Sequence, residues 1–145
     1  MSNEPPCTER YARWCERSKR EIIPFLLLDF YIRKNGDIKT LRPLERPGAH
    51  ARGYNAHSVG ICYEGGLNER GRPADTRTDF QKHSLRALVL LLLKDYPGSR
   101  LCGHRDLSPD LNGNGEIEPE EWIKECPCFE AASLLDEPPV NPGYL

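Results

Sequence analysis

An amphipathic helix predicted over residues 79–96 is the feature that most constrains what this chain can fold into. Apolar side chains recur there at helical spacing, and Pro97 and Gly98 end the pattern. The residues expected to share its buried face are Phe80, Ser84, Ala87, Leu88, Leu91 and Leu92. A helix with one apolar face needs a second layer of secondary structure to cover that face. The rest of the chain must therefore supply that layer.

Strands predicted on both sides of this helix supply the second layer. Asn35 and Gly36 form a dipeptide that is typical of β-hairpin turns. The predicted strands are residues 25–33, 38–41, 58–63 and 100–103, and a last helix is predicted from 119 to 126. Strands mixed with helices indicate a layered fold of the α/β or the α+β class.

Composition narrows the class of protein. The chain has 145 residues, of which 38% are hydrophobic, so residues 1–130 are predicted to form one domain, followed by a proline-rich tail at 131–145. A net charge of -2 without a basic cluster excludes nucleic-acid binding through charge alone. No apolar run is long enough to span a bilayer, and the N-terminus does not resemble a signal peptide. We therefore expect a monomer whose six cysteines are reduced. Its expected location is the cytoplasm, with release to the cell wall by another route left open.

Residues 110–121 have the spacing of a calcium-binding loop. Oxygen donors occupy positions 1, 3, 5, 7, 9 and 12 of an EF-hand pattern, with a glycine at position 6. These donors are Asp110, Asn112, Asn114, Glu116 through its carbonyl, Glu118 and Glu121. The alternative is an Asn-Gly turn that precedes a helix beginning at Pro119. The sequence contains no second loop of this kind, so the pattern predicts a structural calcium ion rather than a calcium sensor.

His104 and Cys126, on either side of this loop, have the side chains that zinc prefers. A catalytic zinc site uses three protein ligands and leaves one position open for water. Taken as isolated residues, the two are better explained as a loop histidine and a buried cysteine. Lys124, considered alone, is better explained as a solvated helix residue.

Three sequence motifs change the interpretation of His104, Lys124 and Cys126. They are GAHARGYNAHSVGICYEGG, GHRDLSP and KECP. In order and separation they resemble the motifs of the zinc-dependent N-acetylmuramoyl-L-alanine amidases of type 2, a family that includes phage lysozyme-type amidases and peptidoglycan recognition proteins. The resemblance covers residues 30–129. It implies the α/β fold of that family, in which helices flank a mixed central sheet. It also implies zinc ligation by His104 and Cys126, and a role for Lys124 at the transition-state oxyanion. It also implies that His50 lies in the substrate cleft, where Tyr54 and His57 are expected beside it.

The chemistry of these residues suits amide hydrolysis. Zinc polarises a carbonyl and acidifies bound water, and an ammonium group stabilises an oxyanion. The resemblance therefore implies hydrolysis of the amide between N-acetylmuramic acid and L-alanine, with peptidoglycan or muropeptides as the partner. Two alternatives remain open: an inactive peptidoglycan-binding module, and an interaction domain that calcium orders.

Residues 1–29 depart from the family pattern. The family opens with a central strand that ends in a zinc-binding histidine, whereas this chain has Pro6, Cys7 and Thr8 at the similar letters and no histidine before His50. Leu28 and Asp29 occupy the positions of a Tyr-His pair that contains the catalytic tyrosine of the family. The resemblance therefore implies that the first central strand is missing and that the zinc site is incomplete.

Overall fold

The computed structural model of this chain describes residues 29–44 and 58–143. The elements in chain order are strands β1 (Phe30–Ile32), β2 (Ile38–Thr40) and β3 (Ile61–Tyr63), helix α1 (Asp79–Asp95), and 3-10 helices at His104–Leu107, Pro119–Glu121 and Ala131–Ser133. Among the helices in these two ranges, none is both long and apolar enough to cross a membrane.

Strand β1 lies at the centre of a mixed sheet with the order β2-β1-β3. It pairs antiparallel with β2 and parallel with β3. The hairpin turn predicted at Asn35 and Gly36 is confirmed, because Gly36 joins β1 to β2 with a φ of 89°, a conformation that favours glycine. The side chain of Asn35 accepts a hydrogen bond from the Asp37 amide at 3.0 Å and closes the turn. A mixed sheet packed against a helix confirms the predicted α/β class.

Gln81 determines how α1 sits on the sheet. Its side chain is fully buried, and the side-chain nitrogen Nε2 donates to the backbone carbonyls of Ile32 (3.2 Å) and Glu64 (2.8 Å). Its side-chain oxygen accepts from the amide of Thr78, while the Thr78 hydroxyl accepts from the Gln81 amide. This reciprocal capping box satisfies two helix-end donors and begins α1 one residue after Thr78.

The predicted buried face of α1 is only partly correct. Ser84 and Leu88 are buried, but Phe80 and Leu91 keep 36% and 60% of their surface exposed. The residues that α1 buries are Gln81, Ser84, Leu85, Leu88 and Val89. A prediction based on apolar spacing places a glutamine on the exposed face of a helix. In the structure, Gln81 lies on the buried face, where its side chain hydrogen-bonds to carbonyls of the sheet region.

Two further predicted elements differ from the structure. Residues 100–103 are irregular, because within the described ranges β3 pairs only with β1 and offers this segment no strand partner. The helix predicted over 119–126 is a single 3-10 turn at Pro119–Glu121. His104 therefore begins a 3-10 helix instead of ending a strand.

The hydrophobic core extends from the sheet and α1 into the C-terminal segment. Its buried members are Phe30, Ile32, Tyr63, Leu85, Leu88, Val89 and Leu134. Arg86 on α1 donates to the carbonyls of Leu135 (2.9 Å) and Glu137 (3.2 Å). These contacts hold the residues that follow Ala131 against α1.

Candidate functional site

His104 and Cys126 line one cavity of about 220 Å³. The cavity lies between β3, the residues around His104, and the turn formed by residues 126–129, and most of its lining is apolar. The amide of Arg105 donates to the carbonyl of Cys126 at 2.9 Å and joins the two segments directly. The structure thus brings together the two residues that sequence analysis predicted as zinc ligands, although they are distant along the chain.

Gly103 lets these two segments approach closely. A Cβ atom added at Gly103 would lie 2.5 Å from Cδ of Pro127, a separation that real Cβ atoms essentially never show. The φ of Gly103 is −81°, which any residue adopts, so space rather than backbone conformation requires glycine here. The amide of Gly103 also donates to the carboxylate of Asp106 at 2.6 Å.

We expect Gly103→Ala to separate the two segments and destabilise the fold. Overpacking of this kind costs about 1–3 kcal/mol, because the added methyl group must displace Pro127 or the His104 turn. The free energy of unfolding from urea denaturation measures the effect. An unchanged denaturation midpoint would show that the turn at Pro127 moves aside freely.

Lys124 contacts His104 at the nitrogen that faces it. The Nζ atom of Lys124 lies 3.2 Å from Nε2 of His104. An ammonium group only donates, so Nε2 must be the acceptor in this contact. The proton of a neutral imidazole is then on Nδ1. Both side chains are half-buried.

Tyr63 and Arg77 anchor the turn that carries Cys126, and sequence analysis identified neither. The hydroxyl of Tyr63 donates to the carbonyl of Pro127 at 2.9 Å. The Arg77 guanidinium lies 3.5 Å from the ring centroid of Phe129, and it also forms ion pairs with Asp75 and Glu137. Asp75 is a sequence neighbour of Arg77, but Glu137 and Phe129 come from a distant part of the chain, so no local pattern predicts the whole cluster.

The charges in the Arg77 cluster reinforce one another. Burial opposes the charged form of Arg77, but hydrogen bonds and the charges of Asp75 and Glu137 outweigh it and raise its pKa above the usual value. Burial also favours the neutral form of Asp75, yet the hydrogen bonds and charge of Arg77 lower the pKa of Asp75. Both groups are therefore charged at neutral pH.

Cys128 is unsuited to metal binding as it stands. Its Sγ atom donates to the carbonyl of Gly66 at 3.6 Å. Burial, followed by the charge of Glu125, raises the pKa of its thiol. Metals bind the thiolate, so this environment disfavours the form of Cys128 that would act as a ligand.

The described part of the site does not complete a catalytic zinc centre. Within residues 29–44 and 58–143, no three His, Cys, Asp or Glu side chains lie close enough together to hold a metal ion. His104 and Cys126 have suitable chemistry, but they are two donors where three are needed. Asp29, at a position of the Tyr-His pair of the family, is buried and accepts a hydrogen bond from Gly60 at 2.8 Å. The predicted cleft residues His50, Tyr54 and His57 lie outside the described residues, as do Pro6, Cys7, Thr8 and Leu28.

The predicted calcium loop is closed by its own hydrogen bonds. Asp110 accepts from the amides of Gly113 (2.6 Å) and Gly115 (2.8 Å). Glu121 accepts from three backbone amides, those of Leu111 (2.8 Å), Asn112 (3.0 Å) and Glu118 (3.0 Å). The hydrogen bond from the Glu118 amide is the main cause that lowers the pKa of Glu121. Burial opposes this shift, and the hydrogen bonds from the amides of Asn112 and Leu111 add to it. The side-chain oxygens of Asp110 and Glu121 therefore point into the loop.

Of the four remaining predicted donors, Asn112, Asn114 and Glu118 take part in the same closure through their side chains. Asn112 accepts from the amide of Asn114, and Asn114 accepts from the amide of Glu116, at 2.9 Å and 2.8 Å. The side-chain amide of Asn112 donates to Glu118 at 2.7 Å. These contacts show an ordered loop, and calcium binding by it stays a prediction.

Comparison with known proteins identifies the family. The family model for N-acetylmuramoyl-L-alanine amidase (Amidase_2) matches residues 6–121. This chain belongs to the N-acetylmuramoyl-L-alanine amidase family. An uncharacterised protein of Haemophilus influenzae is 46% identical over 112 residues, covering 77% of this chain and 97% of that protein. The endolysin of Escherichia phage T7 is 33% identical over 101 residues, covering 70% of this chain.

A solved amidase structure has a fold similar to that of this chain. The N-acetylmuramoyl-L-alanine amidase LysC from Clostridium intestinale aligns with a TM-score of 0.51 and 32% identity, covering 85% of this chain and 75% of LysC. The chain spans only 58% of the length of the T7 endolysin. The family match begins within residues 1–29 and ends at residue 121, before Lys124 and Cys126. Beyond the motif that contains both residues, the assignment of Cys126 depends on the cavity it lines, and that of Lys124 depends on its contact with His104.

Proposed function

We propose that this chain hydrolyses the amide bond between N-acetylmuramic acid and L-alanine in peptidoglycan. One observation supports this most strongly: in a chain of the amidase family, His104 and Cys126 line one cavity and Lys124 contacts His104. Relatives named as endolysins and as N-acetylmuramoyl-L-alanine amidases support the same reaction class.

Each of the three residues has a proposed role. His104 and Cys126 would be two of the zinc ligands, and a third donor would have to come from outside the described residues or from water. Lys124 is a cation in contact with His104, and its ammonium group would donate to the oxyanion that forms when the amide carbonyl is attacked. The apolar wall formed by β3 and Pro127 excludes water from part of the cavity and strengthens that interaction.

An inactive peptidoglycan-binding module is the second candidate, and one observation favours it. Within the described residues, the structure contains no group of three side chains that could hold a metal ion. Such a module would keep the fold and the cavity but cleave nothing.

Digestion of purified peptidoglycan tests the proposed function. Amidase action releases new amino groups from L-alanine without new reducing sugar ends, whereas a glycosidase produces reducing ends. We expect new amino groups when zinc is supplied and fewer with a chelator. Binding to sedimented peptidoglycan without release of amino groups would favour the inactive module. A chain that neither binds nor cleaves would exclude both candidates and leave the interaction domain.

We expect Lys124→Ala to lower the rate of amide hydrolysis about a hundredfold, the typical effect of removing one oxyanion donor. The matched control is Lys94→Ala, which removes the same charge from the exposed end of α1. Rates of amino-group release under saturating zinc measure the effect. Equal rates in the wild type and in Lys124→Ala would remove Lys124 from the reaction.

We also propose that residues 110–121 bind one calcium ion. The support is the donor spacing, together with the inward orientation of Asp110 and Glu121. An isolated loop lacks the paired hand that strengthens tight sites, so the dissociation constant should be on the order of ten micromolar to one millimolar.

We expect saturating calcium to raise the melting temperature by roughly 5 °C or more, since a ligand that binds only the folded chain stabilises it. Glu121→Gln should remove most of that gain, because the bidentate carboxylate is lost. Glu120→Gln is the matched control, since it changes the same charge at an exposed neighbour. Melting curves with calcium and with chelator decide the matter. If calcium does not change the melting temperature of the wild type, the loop is only a hydrogen-bonded turn.

A further inference from the structure

We propose that Asn112 and Asn114 are latent deamidation sites, which the carboxylate of Asp110 keeps from reacting. Each of the two asparagines is followed directly by a glycine, Gly113 in one case and Gly115 in the other. The proposal concerns a chemical modification of the loop that contains them. It is independent of the proposed amidase activity and of the proposed calcium binding.

Deamidation needs only an asparagine, the residue that follows it and water. The backbone nitrogen of the following residue loses its proton and attacks the side-chain carbonyl carbon of the asparagine. A carbon–nitrogen bond forms, the side-chain nitrogen leaves as ammonia after taking up a proton, and a cyclic succinimide remains. Water then opens the ring to aspartate or isoaspartate. A following glycine favours the attack, because it has no Cβ atom to crowd its nitrogen.

One carboxylate holds both of the nitrogens that would have to attack. The amide of Gly113 donates to Oδ1 of Asp110 at 2.6 Å, and the amide of Gly115 donates to Oδ2 at 2.8 Å. Loss of the proton from either nitrogen would break a charge-assisted hydrogen bond and place an anion beside a carboxylate. Asp110 therefore disfavours the first step of the reaction at both sites.

The asparagine side chains are also held, but unequally. Oδ1 of Asn112 accepts from the amide of Asn114 at 2.9 Å, and Oδ1 of Asn114 accepts from the amide of Glu116 at 2.8 Å. The side-chain amide of Asn112 also donates to Glu118 at 2.7 Å. This additional hydrogen bond restrains the carbonyl group that the Gly113 nitrogen must reach. We therefore expect Asn114 to react before Asn112.

Conversion of Asn112 would weaken the closure of the loop. An ionised aspartate only accepts hydrogen bonds, so it has no donor for Glu118 where the asparagine now donates at 2.7 Å. Two carboxylates would then face each other, and their like charges repel. The modification would therefore remove one of the contacts that hold the loop in its observed shape.

Peptide mass spectrometry of the full chain, incubated at neutral pH with a chelator, measures each site separately. We expect Asp110→Ala to deamidate at Asn112 and Asn114 about fivefold or more faster than the wild type. A hydrogen bond to a charged acceptor is strong enough for about tenfold protection, and the smaller value allows for the exposure of this loop.

Asn35 provides an internal control, because it also precedes a glycine. The amide of Gly36 donates to a backbone carbonyl of its own turn, that of Arg33, at 2.8 Å. The rate of deamidation at Asn35 should therefore be the same in the wild type and in Asp110→Ala.

Equal or slower reaction at Asn112 and Asn114 in Asp110→Ala would overturn the proposal, because a slower reaction would mean that Asp110 acts as a base. Faster reaction at Asn35 as well would indicate general unfolding of this variant. Asp110→Asn then decides, since it keeps the shape of the side chain but has only one oxygen, without charge, for two amides. We expect it to react faster at Asn112 or Asn114 and to be unchanged at Asn35. Wild-type rates at all three sites would overturn the proposal.

Discussion

Alanine at His104 or Cys126 is expected to abolish zinc binding, with a loss of affinity greater than about a hundredfold. Even residues that only orient metal ligands contribute about 10–100-fold to affinity, so loss of a direct donor must cost more. The two residues line one cavity, and the Arg105 amide holds their segments together at the Cys126 carbonyl. Metal content after dialysis and chelator competition measure the result.

The control for this experiment is a histidine away from the cavity. His83 is an exposed residue of α1 whose Nδ1 lies 3.2 Å from the carbonyl of Val140. His83→Ala should leave zinc binding unchanged, and equal loss in all three variants would indicate general unfolding. We expect the wild type itself to hold less than one zinc per chain after dialysis, because its described part supplies two donors. If one zinc ion per chain stays bound after mild chelation, the prediction of an incomplete zinc site is wrong.

Arg77→Ala is expected to lower the free energy of unfolding by about 3 kcal/mol, the lower end of the range for removing one partner of a buried ion pair. The Arg77 side chain is 2% exposed, and its loss also removes the contact with the ring of Phe129. Asp75 and Glu137 are each 34% exposed, so water can solvate them in part after the change. Urea denaturation measures this value.

Two variants separate the geometry of Arg77 from its charge. Arg70→Ala removes an arginine from the same loop at an exposed position and should change the stability by less than about 0.5 kcal/mol. Arg77→Lys keeps the charge but cannot reach both carboxylates with a planar fork, so it should recover only part of the loss. Equal stability of Arg77→Ala and Arg70→Ala would contradict the anchoring role.

The same cluster makes an acid-dependent contribution to stability. The pKa of Asp75 is lowered in the folded chain. Its stabilising contribution is therefore present above the unfolded value of about 3.9 and is lost as the pH falls through the lower folded value. The wild type should lose stability below about pH 4 more steeply than Arg77→Ala, because the variant no longer favours the carboxylate.

Local sequence was sufficient for the elements whose geometry depends on neighbouring residues. The hairpin turn followed from Asn35 and Gly36, since a turn with positive φ favours glycine. The predicted helix over 79–96 matches α1 at Asp79–Asp95, because an N-cap and a Pro-Gly stop act within a few residues of each end. The amidase family was predicted from three motifs and is confirmed by the family match over residues 6–121.

Pairing between distant segments could not be predicted in the same way. The buried face of α1 depends on Gln81, whose partners are backbone carbonyls at Ile32 and Glu64. No apolar pattern encodes those contacts, so the predicted face included Phe80 and Leu91, which are exposed. The strand predicted over 100–103 failed for a related reason, because a strand exists only where another strand pairs with it.

By itself, the sequence determined the turn, the ends of α1, the family and the identity of His104, Lys124 and Cys126 as candidate site residues. Only the tertiary structure decided that Lys124 contacts His104, that Gly103 admits Pro127, and that Arg77 anchors the Cys126 turn through Phe129. The physical reason is the separation along the chain over which each kind of interaction acts. Backbone preferences and capping hydrogen bonds act over a few residues, whereas the site is made by contacts between segments that become neighbours only when the sheet, α1 and the 126–129 turn pack together.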